Sequence, residues 1–177
     1  MKAVTGFVLC CLIIAATCKL RCFKSALSRC HAKQRISEDI TYCQNEIAMH
    51  QCQLNASLEC GLGFDSTARQ AISALTDVCT NGTESNKAIK SDKNCTMATL
   101  TDSGEECSAD LSLDMKGLKR YEEHEVNKVI CRHLNGVKNC LFQKFVKCNN
   151  TTQNAFKHVI ETSIALELSL CTFFKDD

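Results

Sequence analysis

The 177-residue chain contains no proline and no tryptophan. Without proline, nothing imposes a hard stop on a helix or removes one of its backbone donors, so long uninterrupted helices are permitted. Without tryptophan the largest core filler is missing, and two tyrosines and eight phenylalanines leave little aromatic area to bury. No strand-length segment alternates strictly between apolar and polar residues, which argues against sheet. Charge of one sign is lacking too. Twenty-one basic and twenty acidic residues are interspersed along the chain. There is no basic stripe for a phosphate backbone and no polybasic face for anionic lipid, which excludes nucleic acid as a partner. Also absent are a zinc-protease helix motif, a G-x-S-x-G elbow, a glycine-rich phosphate loop and the paired C-x2-C spacing of structural zinc. The expectation is a protein without cofactor or metal.

Cysteine is abundant, with fifteen residues. Three of them fall near the start of the chain. Lys2 followed by the apolar run Phe7 to Ala16 has the form of an export signal, with an apolar stretch of about ten residues. That is too short to span a bilayer, which takes about 20. Residues 1–18 are expected to be removed after Cys18, with Ala16 and Cys18 as the small residues of the cleavage site. Cys10, Cys11 and Cys18 leave with them. Twelve remain: Cys22, Cys30, Cys43, Cys52, Cys60, Cys79, Cys95, Cys107, Cys131, Cys140, Cys148 and Cys171. Cleavage after Ala16 or Thr17 would instead leave thirteen, hence a free thiol or a link between chains. An exported chain this rich in cysteine is a disulfide scaffold, secreted and extracellular, without stable membrane insertion. Five N-glycosylation triplets, at Asn55, Asn81, Asn94, Asn149 and Asn150, agree with export. Asn149 and Asn150 adjoin, so one of them at most is expected to be modified.

The segment CRHLNGVKNCLFQKFVKC, residues 131–148, repeats the cysteine spacing of CQNEIAMHQCQLNASLEC, residues 43–60. Cys22 and Cys30 precede the first triplet and Cys79 follows it. Cys95 and Cys107 precede the second and Cys171 follows it. Six and six imply two similar halves, 19–79 and 95–177, longer than a solenoid repeat. Residues 80–94, rich in turn residues and charges, are expected to be an exposed, glycosylated connector.

Within the halves the apolar period is helical: Ile36, Ile40, Cys43, Ile47, Leu54 and Leu58, then Val126, Ile130, Leu134, Val137, Leu141 and Phe145. Ser37 is a candidate cap. Asp65 or Ser66, with Phe64 as a hydrophobic staple, would open a helix carrying Ala68, Ile72 and Leu75. Thr151 or Thr152 would cap the last helix, whose stripe is Phe156, Val159, Ile160, Ile164 and Leu168. Asn135-Gly136 is a place where the second triplet's helix would divide, since glycine costs about 1 kcal/mol there. The fold class expected is all-α, a disulfide-crosslinked helical bundle of two tandem six-cysteine halves.

Helix geometry restricts the crosslinks. Cysteines nine apart on one helix are about 13 Å apart along the axis and half a turn around it. A disulfide needs α-carbons within about 7 Å. Cys43 therefore cannot bond Cys52, nor Cys131 bond Cys140. Each triplet helix should be stapled to neighbours on two sides, with partners that spacing does not identify.

Candidate chemistry is sparse. Glu122 and Glu125, in the run from Tyr121 to Glu125, fit a solvated face at a helix start, where acids favour the dipole. His50 with Cys52, and Cys131 with His133, resemble nucleophile or metal pairs, but bonded sulfurs supply no thiolate. His31, His124 and His158 belong to no motif. Gly61-Leu62-Gly63 suits a helix terminus and turn. Phe142, Phe145, Phe156, Phe173 and Phe174 form either ordinary core or a site for a small apolar ligand.

The C-x8-C-x7-C triplet, followed by Thr151, Thr152, Asn154 and a cysteine-terminated helix, resembles the C-terminal part of the insect hemolymph glycoprotein family over about forty residues. The total of twelve cysteines is similar to that of small secreted domains of nematodes. The chain departs from these patterns in its absent prolines, its short length and its duplicated halves. The resemblance implies a secreted, helical glycoprotein of body fluid without enzymatic activity, and transfers no catalytic residue. The function expected is non-catalytic: extracellular binding, as a monomer, of a protein or small apolar ligand. The alternative is a venom or salivary effector acting on a target's membrane protein.

Overall fold

Eight helices and no strand occur among the residues that the computed structural model describes, 18–33, 42–116, 118 and 123–173. The protein is all-α and crosslinked by disulfides. The helices are α1 (18–33), α2 (Tyr42–Cys60), α3 (Asp65–Cys79), α4 (Glu84–Ser91), α5 (Lys93–Cys107), α6 (Ala109–Met115), α7 (Glu123–Phe145) and α8 (Asn150–Cys171). Packing divides the chain into a unit ending at Arg69 and one beginning at Gln70, so the division falls inside α3 rather than after Cys79. The expected signal lies outside the described residues except for Cys18, which opens α1 as an exposed free thiol.

In the first unit, α1 and α2 are joined by two rungs. Cys22 bonds Cys60 and Cys30 bonds Cys52, with α-carbons 5.8 and 5.6 Å apart. The two cysteines are eight residues apart on each helix, about 12 Å of axial rise, so antiparallel helices bring both pairs into register at once. Beneath the rungs Phe23 meets Phe64 edge to face at 5.7 Å, beside the buried Ala26, Leu54, Ala56 and Ala68. Phe64 occupies the position immediately before α3, and its carbonyl accepts the first helical bond, from Ala68 N. It therefore anchors α3 to the core from the cap position itself, and the helix begins at Asp65, one residue earlier than an Asp65 cap and two earlier than a Ser66 cap would require. At the end of α2, Gly61 takes φ +61° and Leu62 N donates to Ser57 O at 3.1 Å, which closes the helix in the expected turn. Leu58, placed on the buried stripe by its period, is 52% exposed, because Cys52, Ala56 and Cys60 take the inward face. Ile36, Ser37 and Ile40 lie outside the described residues.

In the second unit, α8 packs against α7 and α4, while α7 also receives α5 and α6. Cys95 bonds Cys148, Cys107 bonds Cys140, and Cys131 bonds Cys171. Thus Cys131 and Cys140, half a turn apart on α7, reach α8 and α5 respectively, as two-sided stapling requires. First-to-fifth and second-to-fourth pairing occurs in both sets of six, and Cys43 and Cys79, the remaining two of the first set, are also disulfide-bonded. One difference separates the triplets. Cys60 ends α2 within the helix, whereas α7 stops at Phe145 and Cys148 follows a turn closed by its own N–H on Phe145 O.

Three expectations are corrected here. Asn135-Gly136 does not divide α7, which runs unbroken from Glu123 to Phe145. Both residues are exposed and no atom would lie within 4 Å of a Cβ at Gly136. Gly136→Ala should therefore raise stability by about 0.5–1 kcal/mol, seen as a higher urea midpoint with unchanged slope. The cap of α8 is Asn149, whose side chain accepts from Thr152 N, and not Thr151 or Thr152. The most buried residues of α8 are Thr152, Ala155, Thr162, Leu166, Leu170 and Cys171, whereas Phe156, Val159, Ile160, Ile164 and Leu168 are half-buried. Toward the start of α8 the small side chains Thr152 and Ala155 take the inward face, where α4 approaches closely enough for Thr152 to bond Ala88 O.

Residues 80–94, read as an exposed, glycosylated connector, contain α4. Thr83 caps it by accepting from Asn86 N, Glu84 supplies an acid to its first turn and Lys90 a base to its last. Asn86 and Ala88 are buried, and Asn86 Nδ2 donates to Val78 O at 2.8 Å. A short helix with one polar and one small residue inward carries almost no hydropathy signal. The capping residues Thr83 and Glu84 are the sequence signal that could have found it.

Candidate functional site

In the second unit, polar groups converge at the seam between α4 and the start of α8. Three interactions build it. Thr152, with no exposed surface, donates its hydroxyl to Ala88 O across the seam at 3.1 Å. Asp92, after α4, accepts the backbone N–H of Asn149 at 2.9 Å. The Cys95–Cys148 bond ties the chain just beyond Asp92 to the residue just before Asn149. Gln153 Nε2 then covers the carbonyls of Cys148 and Val146, at 2.6 and 3.1 Å.

The result is an open groove of about 340 Å³ lined by Glu84, Lys87, Ala88, Ser91, Asn149 and Thr151. Glu84 and Lys87 pair with each other at 3.0 Å on an exposed surface, so the groove carries no net charge. Its walls offer hydroxyls, an amide and a methyl group. That lining, with one acid and one base paired to each other, is polar and close to neutral.

Nearby, ligand atoms of Asp92, Cys95 and Cys148 lie within 4.8 Å of one another. Both sulfurs belong to a single disulfide, so they offer no thiolate, and the Asp92 carboxylate already accepts from Asn149. These three residues do not fit a metal centre.

The other sequence candidates are dispersed. His50 is buried with Nδ1 2.9 Å from Glu46 O, one turn back on its own helix, and Cys52 is bonded to Cys30. Cys131 is bonded to Cys171, while His133 Nε2 lies 2.8 Å from Asp114 Oδ2 and links α7 to α6. His158 is exposed, and His31 keeps a buried Nε2 without a partner among the described residues. Glu125 pairs with Lys128 at 3.2 Å, as a solvated face would; Tyr121, Glu122 and the side chain of His124 lie outside the described residues. Phe145 is buried and stacks on Phe156 at 4.2 Å, and Lys157 lies 5.9 Å over the ring of Phe142. These rings fill space against each other. Phe173 is half-buried and Phe174 lies outside the described residues.

The triplet asparagines Asn55, Asn81, Asn94, Asn149 and Asn150 are all exposed. Four of the five belong to the second unit, and of these Asn94 and Asn149 adjoin the two ends of the Cys95–Cys148 bond.

Fold and site define the class: an all-α, disulfide-crosslinked, cysteine-rich protein. No described helix is long and apolar enough to cross a membrane, and the many disulfides fit an extracellular or secreted protein. No protein-family model matches the chain, and comparison with curated proteins and with solved structures finds no match.

Proposed function

We propose that this chain is a secreted glycoprotein that binds a partner outside the cell and catalyses no reaction. The observation that carries the reading is the state of the twelve cysteines. All are disulfide-bonded, in a pattern that recurs between the two sets of six. Such chemistry is stable only in an oxidising compartment and withdraws every one of these sulfurs from nucleophilic use. The contacts of the histidines support the same reading: His50 bonds a carbonyl of its own helix and His133 ties α7 to α6 through Asp114, both of which hold helices together.

Of the two ligand classes, a protein is favoured over a small apolar molecule. The phenylalanines best placed to line an apolar site, Phe145 and Phe156, are stacked on each other. The exposed Leu58, Leu113 and Val146, together with the polar α4–α8 groove, offer surface rather than interior.

Native mass spectrometry of the protein purified from the medium of expressing eukaryotic cells tests this. The expected species is a monomer with its first eighteen residues removed, six disulfides and attached glycan. Hydrolytic or transfer activity abolished by one Ser, His or Glu substitution would overturn the non-catalytic reading. A retained lipid would overturn the preference for a protein partner.

A further inference from the structure

Resting on the reading that the chain is exported and glycosylated, we propose that Asn149, and not the adjacent Asn150, is the residue of this overlapping pair that carries the glycan. Each acceptor asparagine is recognised with the hydroxyl residue two positions on. In three of the five triplets a hydrogen bond of the fold accounts for that hydroxyl residue; Ser57, in the Asn55 triplet, is sealed in the core at 1% exposure with its hydroxyl unpartnered among the described residues. Thr83 caps α4. Thr96 is buried and donates to Ile89 O at 3.4 Å. Thr152, the partner of Asn150, has no exposed surface and bonds Ala88 O. Packing alone therefore places a threonine at 152, whether or not Asn150 is modified.

Thr151, the partner of Asn149, differs. It is exposed and its hydroxyl has no partner among the described residues. Nothing in the packing asks for a hydroxyl there, which leaves recognition by the glycosyl-transfer machinery as its use.

The geometry of Asn149 points the same way. It lies outside the helix in extended backbone, φ −64° and ψ 156°, whereas Asn150 is the first residue of α8. Its Oδ1 is committed to Thr152 N at 2.9 Å, which turns Nδ2 away from the helix end. Glycan attachment uses Nδ2 and leaves Oδ1 as an acceptor, so modification and capping are compatible. Asn149 and Thr151 both line the α4–α8 groove, whose open volume and polar walls leave room for the first sugar.

The donor is a lipid-linked oligosaccharide diphosphate. A bond forms between Asn149 Nδ2 and C1 of its first sugar, and the C1–oxygen bond to the diphosphate breaks. The lipid diphosphate departs with the bonding electrons, and one Nδ2 proton is lost to base. Transfer precedes the sealing of Thr152, so the folded geometry acts as the condition the finished glycoprotein must meet, and a glycan on Asn149 leaves the cap bond and the groove intact.

The test is site mapping on full-length protein secreted from a eukaryotic host. An amidase that releases N-glycans in 18O-water converts an occupied asparagine to labelled aspartate, and fragment ions separate position 149 from 150. The label is expected at 149, and Asn150→Gln is expected to retain it. Label at 150 with none at 149, or its loss in Asn150→Gln, overturns the assignment. Label at 55, 81 or 94 with none at 149 or 150 overturns this inference while leaving the export reading intact. No label at any of the five overturns both.

Discussion

Removing both rungs between α1 and α2 is expected to cost more than the sum of removing each. The inner bond, Cys30–Cys52, spans 22 residues and the outer, Cys22–Cys60, spans 38. Taken alone, each closes a loop worth about 3–4 kcal/mol of unfolded-chain entropy. They are nested, however. With one rung in place the unfolded chain is already confined, so deleting the other gives back only about 2–3 kcal/mol. Cys22→Ala/Cys60→Ala and Cys30→Ala/Cys52→Ala should each lower the unfolding free energy by about that amount, and the fourfold variant by about 6 kcal/mol. Urea melts of the three variants beside the parent, by helical circular dichroism, measure the cycle. Strict additivity would show that the rungs restrain independent parts of the chain.

Leu166→Ala should lose about 3–5 kcal/mol, in the upper half of the range for buried leucine. Leu166 has no exposed surface, and the other inward residues of α8 include Thr152, Ala155 and Thr162, which are too small to refill the space. The Cys131–Cys171 bond, little more than one turn beyond Leu166, tethers α8 to α7 and limits how far the helices can close over the gap. Leu168→Ala, at a half-buried position, should lose less than half as much. A larger loss at 168 than at 166 would restore the stripe that hydropathy favours.

That pair of substitutions marks where the sequence was legible. The helical class followed from the missing proline and the 3–4 spacing, and the half-turn between Cys131 and Cys140 required two neighbours for α7. The inward face of α8 was not legible. Two neighbouring stripes share the helix, Phe156 to Leu168 and Ala155 with Leu166 and Leu170, and the period fits the first while burial falls on the second. The choice is made by close approach, which selects Ala155 and Thr152 over Phe156 and Val159. The groove was hidden for a related reason. It depends on α4, whose inward residues are Asn86 and Ala88, and on Thr152, whose burial is repaid by a bond to a carbonyl 64 positions earlier. Hydropathy scores such residues as surface. The disulfide partners were legible only as exclusions, since a rule about which cysteines are too far apart leaves many pairings open.

The spans of the crosslinks overlap. In the second unit one reaches from Cys95 to Cys148 and another from Cys131 to Cys171, so together they bridge every peptide bond between 95 and 171. A protease that nicks this region once, wherever it cuts, frees no fragment; both pieces stay covalently tethered until a reductant arrives. Such a molecule can survive damage in an enzyme-laden fluid with its outline kept, and cleavage would be visible on a gel only after thiol treatment.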